Sequence, residues 1–344
     1  MIRNKKHELE DFFERSISER IPPVQKILTL ESFFNQTKID LEKKIESTID
    51  DKKILSILYH GKRLRPLLAL LSFKVCTGGK ETLYQYQHAL EGTVTIELAH
   101  TASLIHDDIM DDDLERRGKP AFYTTDGISN AILIGHKMLA KGFSIALGHG
   151  EKLANLYVET WNDILNGQLG EINYDPDKIK NGSKGITTKS KIFKLYNKII
   201  DQKTASLFAS SCRAGAVEAD ASGEILDILF TYGREVGLAY QLADDLVDLE
   251  NGEMIDSVII PLLTRLENKK VNPKKLDEKS IKSILQKNKS KIKKMYLEEI
   301  ERHVRKAEKI SVSEKIPDSS YKSLLNQAPS YVINMMLKEI DIEI

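Results

Sequence analysis

Twice in this chain an apolar run of helical period ends in Asp-Asp-x-x-Asp. The run "ELAHTASLIHDDIMD" closes on Asp107, Asp108 and Asp111, and "GLAYQLADDLVD" closes on Asp244, Asp245 and Asp248. Carboxylates four positions apart share a helical face and repel by about 0.2–0.5 kcal/mol per pair. Aspartate is also a mediocre helix former. One such cluster reads most simply as a solvated acidic helix end. Two copies, each following residues suited to burial, require a fold that holds two long helices inside the molecule and supplies cations at their ends.

The remaining pattern supplies that fold. Apolar residues recur at three- and four-residue spacing through "ETLYQYQHALEGTVTIELAHTASLIHDD", "KIFKLYNKIIDQKTASLFASSCRAGA" and "EILDILFTYGREVGLAYQLADDLVDLE", which is the helical period. Alternating strands bounded by hairpin signals are absent, so the expected class is all-α. Residues 99–105 are small or apolar on most faces, as in a helix wrapped by others. Breaks are expected near Gly78, Gly118, Pro176 and Pro273, where turn formers meet charge. The Pro176 loop, which includes the Asn181 sequon, reads as polar and flexible. Length leaves the domain count open between one large domain and two average ones.

Charge and cysteine exclude several functions. The 344 residues carry 51 basic and 51 acidic side chains, so no net field draws nucleic acid to the chain. Cys76 and Cys212 are the only cysteines and show no zinc or disulfide spacing. "MIRNKKHELEDFFERSISER" has no apolar signal core, and nowhere do 18 uninterrupted apolar residues occur, so a soluble cytoplasmic protein is expected. From Asn268 onward the chain is Lys-rich and amphipathic, read as a solvated surface helix with peripheral membrane contact as the alternative.

Carboxylate oxygens without His or Cys partners select Mg²⁺, which shares its coordination positions with substrate phosphates. The expected ligand is therefore a diphosphate. Basic residues suited to phosphate accompany the clusters: Arg116 and Arg117, Lys203 with Thr204, and Lys62, Arg63 and Arg65 in "GKRLRP". Each group alone could be an ordinary charged surface. His100 would ordinarily be a buried core histidine. It stands seven residues before Asp107, however, two turns away on roughly the same face.

In order and spacing, "GKRLRP", "ELAHTASLIHDDIMDDDLERRGKP", "NGQLGE", "DQKTASLF" and "YQLADDLVD" resemble the all-trans isoprenyl (polyprenyl) diphosphate synthases, with geranylgeranyl diphosphate synthases in view. The resemblance implies a single all-α bundle around a central cavity spanning 1–344, with a catalytic core at about 22–265 and C-terminal helices at about 266–344. It implies that Asp107, Asp111 and Asp244 ligate Mg²⁺, with Asp108, Asp245 and Asp248 as further ligands or behind them. Arg116, Lys203, Thr204 and Gln241 would hold the allylic diphosphate, and Lys62, Arg65, His100 and Arg117 the isopentenyl diphosphate. Short-chain relatives close the cavity with an aromatic residue before the first cluster. Here Ala99, Ala102 and Ser103 stand in that stretch, which implies geranylgeranyl diphosphate or a longer product, although alanine is also simply a good helix former. A homodimer is implied as well.

The chain departs from the pattern after Asp248. Relatives carry a Gly-Lys loop and a second lysine there, whereas "LENGEMIDSVIIPLLTRLENKK" has no lysine before Lys269. Either a C-terminal lysine reaches back to replace them or the site closes with fewer cations, which would weaken substrate affinity rather than abolish turnover. Tyr240 and Glu171 stand where Phe and Asp are usual. A class I terpene cyclase and a non-catalytic partner subunit are the rival readings. The first needs no isopentenyl site and the second usually loses one aspartate cluster.

Overall fold

The structure, a computed structural model, describes residues 29–59, 61–173, 196–252 and 278–344. Helix α1 (Leu30–Thr48) starts at Thr29, whose hydroxyl accepts the Ser32 amide, and α2 (Lys52–Leu58) starts at Asp51, which accepts from Lys53 and Ile54. These are ordinary N-caps. Helix α3 (Leu64–Thr77) ends at Gly78 in the left-handed conformation. Helix α4 (Leu83–Met110) opens with a reciprocal capping box between Thr82 and Gln85 and runs 28 residues to the first aspartates.

After α4 the chain turns through a hairpin of two-residue strands, β1 (Glu115–Arg116) and β2 (Lys119–Pro120). Arg117 and Gly118, its central residues, both take positive φ, the geometry of a tight primed turn. Among the described residues this small antiparallel pair is the one departure from the strand-free pattern expected of the sequence. Helices α5 (Phe122–Asp126), α6 (Ile128–Gly148) and α7 (Glu151–Ile172) follow. Residues 196–200 are helical and lead into a π-helical turn, Asp201–Ala205, and then α8 (Ser206–Glu218). Helix α9 (Gly223–Asn251) carries the second aspartates and stops at left-handed Gly252. Helices α10 (Glu278–Ser311) and α11 (Ser320–Leu337) and a short 3-10 turn, Lys338–Ile340, complete the described chain.

Helices α3, α4, α8 and α9 form the interior, and the all-α class is as expected. Leu68, Leu70 and Val75 on α3, Leu90, Val94, Leu98 and Ala102 on α4, Phe208 and Cys212 on α8, and Val236, Ala243 and Leu246 on α9 are fully enclosed. Helices α1, α6, α7, α10 and α11 pack around them. Helix α10 lays Ile292, Tyr296, Ile300 and Val304 against the α9 core while Lys294 and Arg305 stay in water. It is thus amphipathic and surface-lying, as its lysine pattern indicated. Of the expected breaks, Gly78 and Gly118 fall at turns. Pro176, Asn181, Pro273, the segment holding Lys269 and the cut near residue 265 lie outside the described residues.

Among the described residues, α6 alone is long and apolar enough by composition to cross a bilayer. Its small face, with Ala131, Gly135 and Ala146, packs into the bundle. Its other face leaves Leu133, Phe143 and Leu147 exposed, beside exposed Leu165 and Leu169 on α7.

Candidate active site

The first aspartate cluster closes α4 and the second lies in the last two turns of α9; the helix dipole disfavours anions in a last turn by about 0.3–1 kcal/mol each, which bears on Asp107, Asp108, Asp111 and Asp248. Neither α4 nor α9 has a basic residue in its last turn to offset this. Asp111 caps α4, its amide still bonded to the Asp107 carbonyl at 2.8 Å. The two helix ends open on one hollow of about 590 Å³, lined by Asp107, Asp111, Asp244 and Asp248. Lys62, Arg65, Arg116, Arg117 and Lys203 line the same hollow, with His100, Thr204 and Gln241.

The middle residue of each cluster is turned aside. Asp108, 3 % exposed, is gripped by Arg116, whose Nε donates to Oδ1 at 2.7 Å. Asp245, 8 % exposed, accepts from the Tyr196 hydroxyl and, at 2.9 Å, from Gln241 Nε2. Gln241 in turn accepts the Thr204 hydroxyl at 2.6 Å, so a relay joins Thr204, Gln241, Asp245 and Tyr196 beneath the hollow. Burial pushes the Asp245 carboxyl up to about 7 against these hydrogen bonds. It likewise pushes Asp107 up to about 6 against the pull of Lys203, and raises Asp111 and Asp244. Oxygen-only donors, desolvated and mutually repelling at helix C-termini, suit a hard divalent cation such as Mg²⁺.

The cations are positioned for an anion. Arg65 stacks on Phe208 with its guanidinium carbon 4.3 Å from the ring centroid, and Nη1 lies 3.1 Å from His100 Nε2. Its buried Nε has no hydrogen-bond partner in the structure, which fits a site awaiting a polyanion. Burial and then the Arg65 charge hold His100 well below the ordinary histidine range, so its Nε2 accepts from Arg65. Lys203 donates to Glu171 at 2.6 Å. Burial works against its ammonium, but Asp107 and Glu171 outweigh it and its pKa rises. Lys203 belongs to the π-turn, a distortion frequent at functional sites. Gly167 permits it: a Cβ there would stand 2.5 Å from the Lys203 amide nitrogen. That close approach accounts for the first glycine of "NGQLGE".

Three sequence expectations are revised by the geometry. Arg63 does not reach the hollow; it is buried between Glu97, at 2.6 Å, and Glu42, at 2.9 Å, because its left-handed backbone turns it away from Lys62 and Arg65. Ala102 lies in a core cluster with Leu70, Phe73 and Leu98, whereas Ser103 lines the hollow and Ala99 a narrow apolar cleft beside it. That cleft runs between α4, α7 and α8 past Thr95, Ile96, Tyr157, Trp161 and Ala214, and shares Leu207 with the hollow. Lys289 and Lys293 of α10 do reach back, but to Glu250, at 2.9 and 3.2 Å. Glu339 and Met336, near the C-terminus, also line the hollow, Glu339 pairing with Lys62 at 3.2 Å. Nothing in their sequence context marked them.

The Polyprenyl synthetase family model matches residues 51–256. A geranylfarnesyl diphosphate synthase of Methanosarcina mazei is 33 % identical over 199 residues, 57 % of this chain and 61 % of that protein. Heptaprenyl diphosphate synthase component 2 of Bacillus subtilis is 31 % identical over 69 % of either chain. The chain spans 61, 56 and 57 % of the length of the first three such relatives. A crystal structure of a polyprenyl synthase from Caulobacter crescentus superposes with a TM-score of 0.73 over 88 % of this chain and 96 % of that one, at 22 % identity, a likeness of fold.

Proposed function

The chain belongs to the polyprenyl synthetase family, and from that membership we propose that it is a trans-prenyltransferase elongating allylic diphosphates with isopentenyl diphosphate. The observation that carries the reading is the shared hollow, in which outward carboxylates from two helix ends face five basic side chains. A terpene cyclase would need no second anion site, and Lys62, Arg65, His100 and Arg117 supply one.

Asp107, Asp111, Asp244 and Asp248 would hold Mg²⁺, which when bound neutralises the diphosphate leaving group. Lys203, Thr204 and Arg116 would orient the allylic diphosphate, and Lys62, Arg65, His100 and Arg117 the isopentenyl diphosphate. As the allylic C–O bond breaks, negative charge grows on the departing pyrophosphate beside Lys203, which is fixed by Glu171 before reaction begins. The isopentenyl double bond attacks the allylic carbon, a C–C bond forms, and the proton lost passes to the released pyrophosphate. The apolar cleft below takes the hydrocarbon and keeps water from the cation. The test is incubation with Mg²⁺, isopentenyl diphosphate and each allylic primer, then chromatography of the dephosphorylated products. Failure to extend any primer would overturn the reading.

We further propose a product of geranylgeranyl length or longer. From Ser103 past Ala99 to Thr95 the wall descends eight residues, about 12 Å of helix, without an aromatic side chain on α4. Ala99→Phe is expected to shorten the product by at least one isoprene unit. Ala102→Phe, aimed into packed core, is expected to leave product length unchanged and to cost about 1–3 kcal/mol of stability. Equal shortening by both would show that the cleft is not the product channel.

Leu133, Phe143 and Leu147 on α6 and Leu165 and Leu169 on α7, two helices in contact, are exposed; exposed apolar surface marks interfaces, and we assign these side chains to a homodimer face. Cys76 and Cys212 are free thiols, in keeping with a cytoplasmic setting.

A further inference from the structure

At the far end of α4, His88, His149 and Glu218 converge from three elements. His88 stands in the second turn of α4, His149 is the C-cap of α6, and Glu218 is the last residue of α8. We propose that these three side chains form a binding site for a divalent transition metal of the Zn²⁺ class, separate from the aspartate hollow. His88 and Asp107 are 19 positions apart on one helix, about 28 Å, so neither site can borrow ligands from the other.

The geometry is that of a facing set of donors. His88 Nδ1 lies 2.9 Å from Glu218 Oε2, and His149 Nδ1 lies 2.8 Å from Glu218 Oε1. Donor atoms of all three residues fall within 4.8 Å of one another. The imidazoles overlap, with centroids 3.9 Å apart and planes inclined by 37°, so both Nδ1 atoms point to the same side. Bonds of about 2.1 Å to a tetrahedral ion place ligand atoms roughly 3.4 Å apart, a little over half an ångström beyond the present His–Glu contacts. Small side-chain rotations supply that.

Surroundings favour an ion over a plain hydrogen-bonded clasp. The side chains of His149 and Glu218 are 5 and 6 % exposed, while that of His88 is 37 % exposed. The donors are therefore held from the protein side and reachable from one direction, leaving a position for water. Two imidazoles and one carboxylate are the donor set of open zinc sites, and imidazole discriminates against Mg²⁺. Glycine at position 92 makes the space: a Cβ there would stand 2.2 Å from Glu218 Oε1 and 3.4 Å from His149 Nδ1. Gly92 and Glu218 each lie four residues beyond cleft-lining Ile96 and Ala214, so an ion here would pin α4, α6 and α8 below the hydrocarbon channel.

The experiment uses the full-length protein stripped with chelator, then equilibrated with ZnCl₂ in excess Mg²⁺ and gel-filtered. One equivalent of Zn²⁺ more than in His88→Ala is expected by elemental analysis, with a melting temperature raised by several degrees in the parent alone. Gly92→Ala is expected to weaken binding at least about tenfold by displacing Glu218. Co²⁺ should give visible d–d absorption in the parent and none in His88→Ala, whose metal-free melting temperature reports that it folds. Equal Zn²⁺ content in parent and His88→Ala, or Co²⁺ spectra that do not differ, would overturn the proposal and leave a hydrogen-bonded clasp.

Discussion

Replacing Asp244 by asparagine is expected to lower kcat/KM for the proposed chain elongation about 10³-fold, the scale on which a single preorganised charge-stabilising group acts, and to raise the stability of the metal-free protein. Both effects have one cause. Asp244 is desolvated at the C-terminal end of α9, facing Asp107 and Asp111 across the hollow. An anion so placed costs folding free energy that Lys62 and Arg65 offset only in part, leaving its carboxyl raised, and asparagine removes the charge while keeping the shape. The pH dependence has a definite sign. An ordinary aspartate titrates near 3.9, but Asp107 is pushed up to about 6 and Asp245 to about 7. The folded state therefore holds more protons than the unfolded state between about pH 4 and 7. Stability from these groups is full below that range and is lost as pH rises through 6 and 7. Carboxylates lowered by ion pairs, such as Glu250 with Lys289, contribute stability that is lost only toward acid pH and add little slope above about pH 5. His100, held below the ordinary histidine range, adds a slope of opposite sign up to about pH 6.5, so melting temperatures of the metal-free parent should fall mainly between about pH 6.5 and 7.5, and Asp245→Asn should flatten that fall. A level profile in the parent would contradict the assignment, as would elongation by Asp244→Asn at the parent's rate.

Arg63→Leu is expected to cost about 3–5 kcal/mol, enough to unfold a marginal protein at body temperature. The guanidinium is sealed in the interior, bonded to Glu97, Glu42 and the Leu58 carbonyl. Removing it leaves the buried Glu97 carboxylate without its partner. The double variant Arg63→Leu with Glu97→Leu should recover much of the loss, since no lone buried charge then remains. Denaturant midpoints of the two variants decide it: if the double variant is no better than the single, the buried pair is not the cause. Leucine and arginine both carry a Cβ, so the positive φ at position 63 weighs equally on each.

The contrast between Arg63 and Arg65 shows where sequence reading stopped. Both stand in "GKRLRP" and look alike as phosphate ligands; the left-handed backbone at Arg63 sends one into the core and the next into the hollow. The aspartate spacing was legible because the helical period alone places Asp107 with Asp111 and Asp244 with Asp248, and the apolar runs before them report burial. Ala99 and Ser103 share a face by that same period, but Ala102 was grouped with them on size alone, and only packing separates it. The π-turn under Lys203 obeys no simple residue pattern. Glu339 enters the hollow from the other end of the chain. Nor could His88, His149 and Glu218 be joined in advance, since contacts spanning 69 and 130 positions leave no local signature.

Helix α4 is one uninterrupted rod with the first aspartates at its tip and, along its flank, the apolar cleft proposed to gauge the product. A substitution at Ala99 or Thr95 alters the bore without moving the tip, because a continuous hydrogen-bonded backbone does not transmit a side chain's size along its axis. Gauge and reactivity are therefore independent dials on this scaffold. Directed evolution can screen libraries at the flank for new molecular weights while leaving the rate machinery untouched.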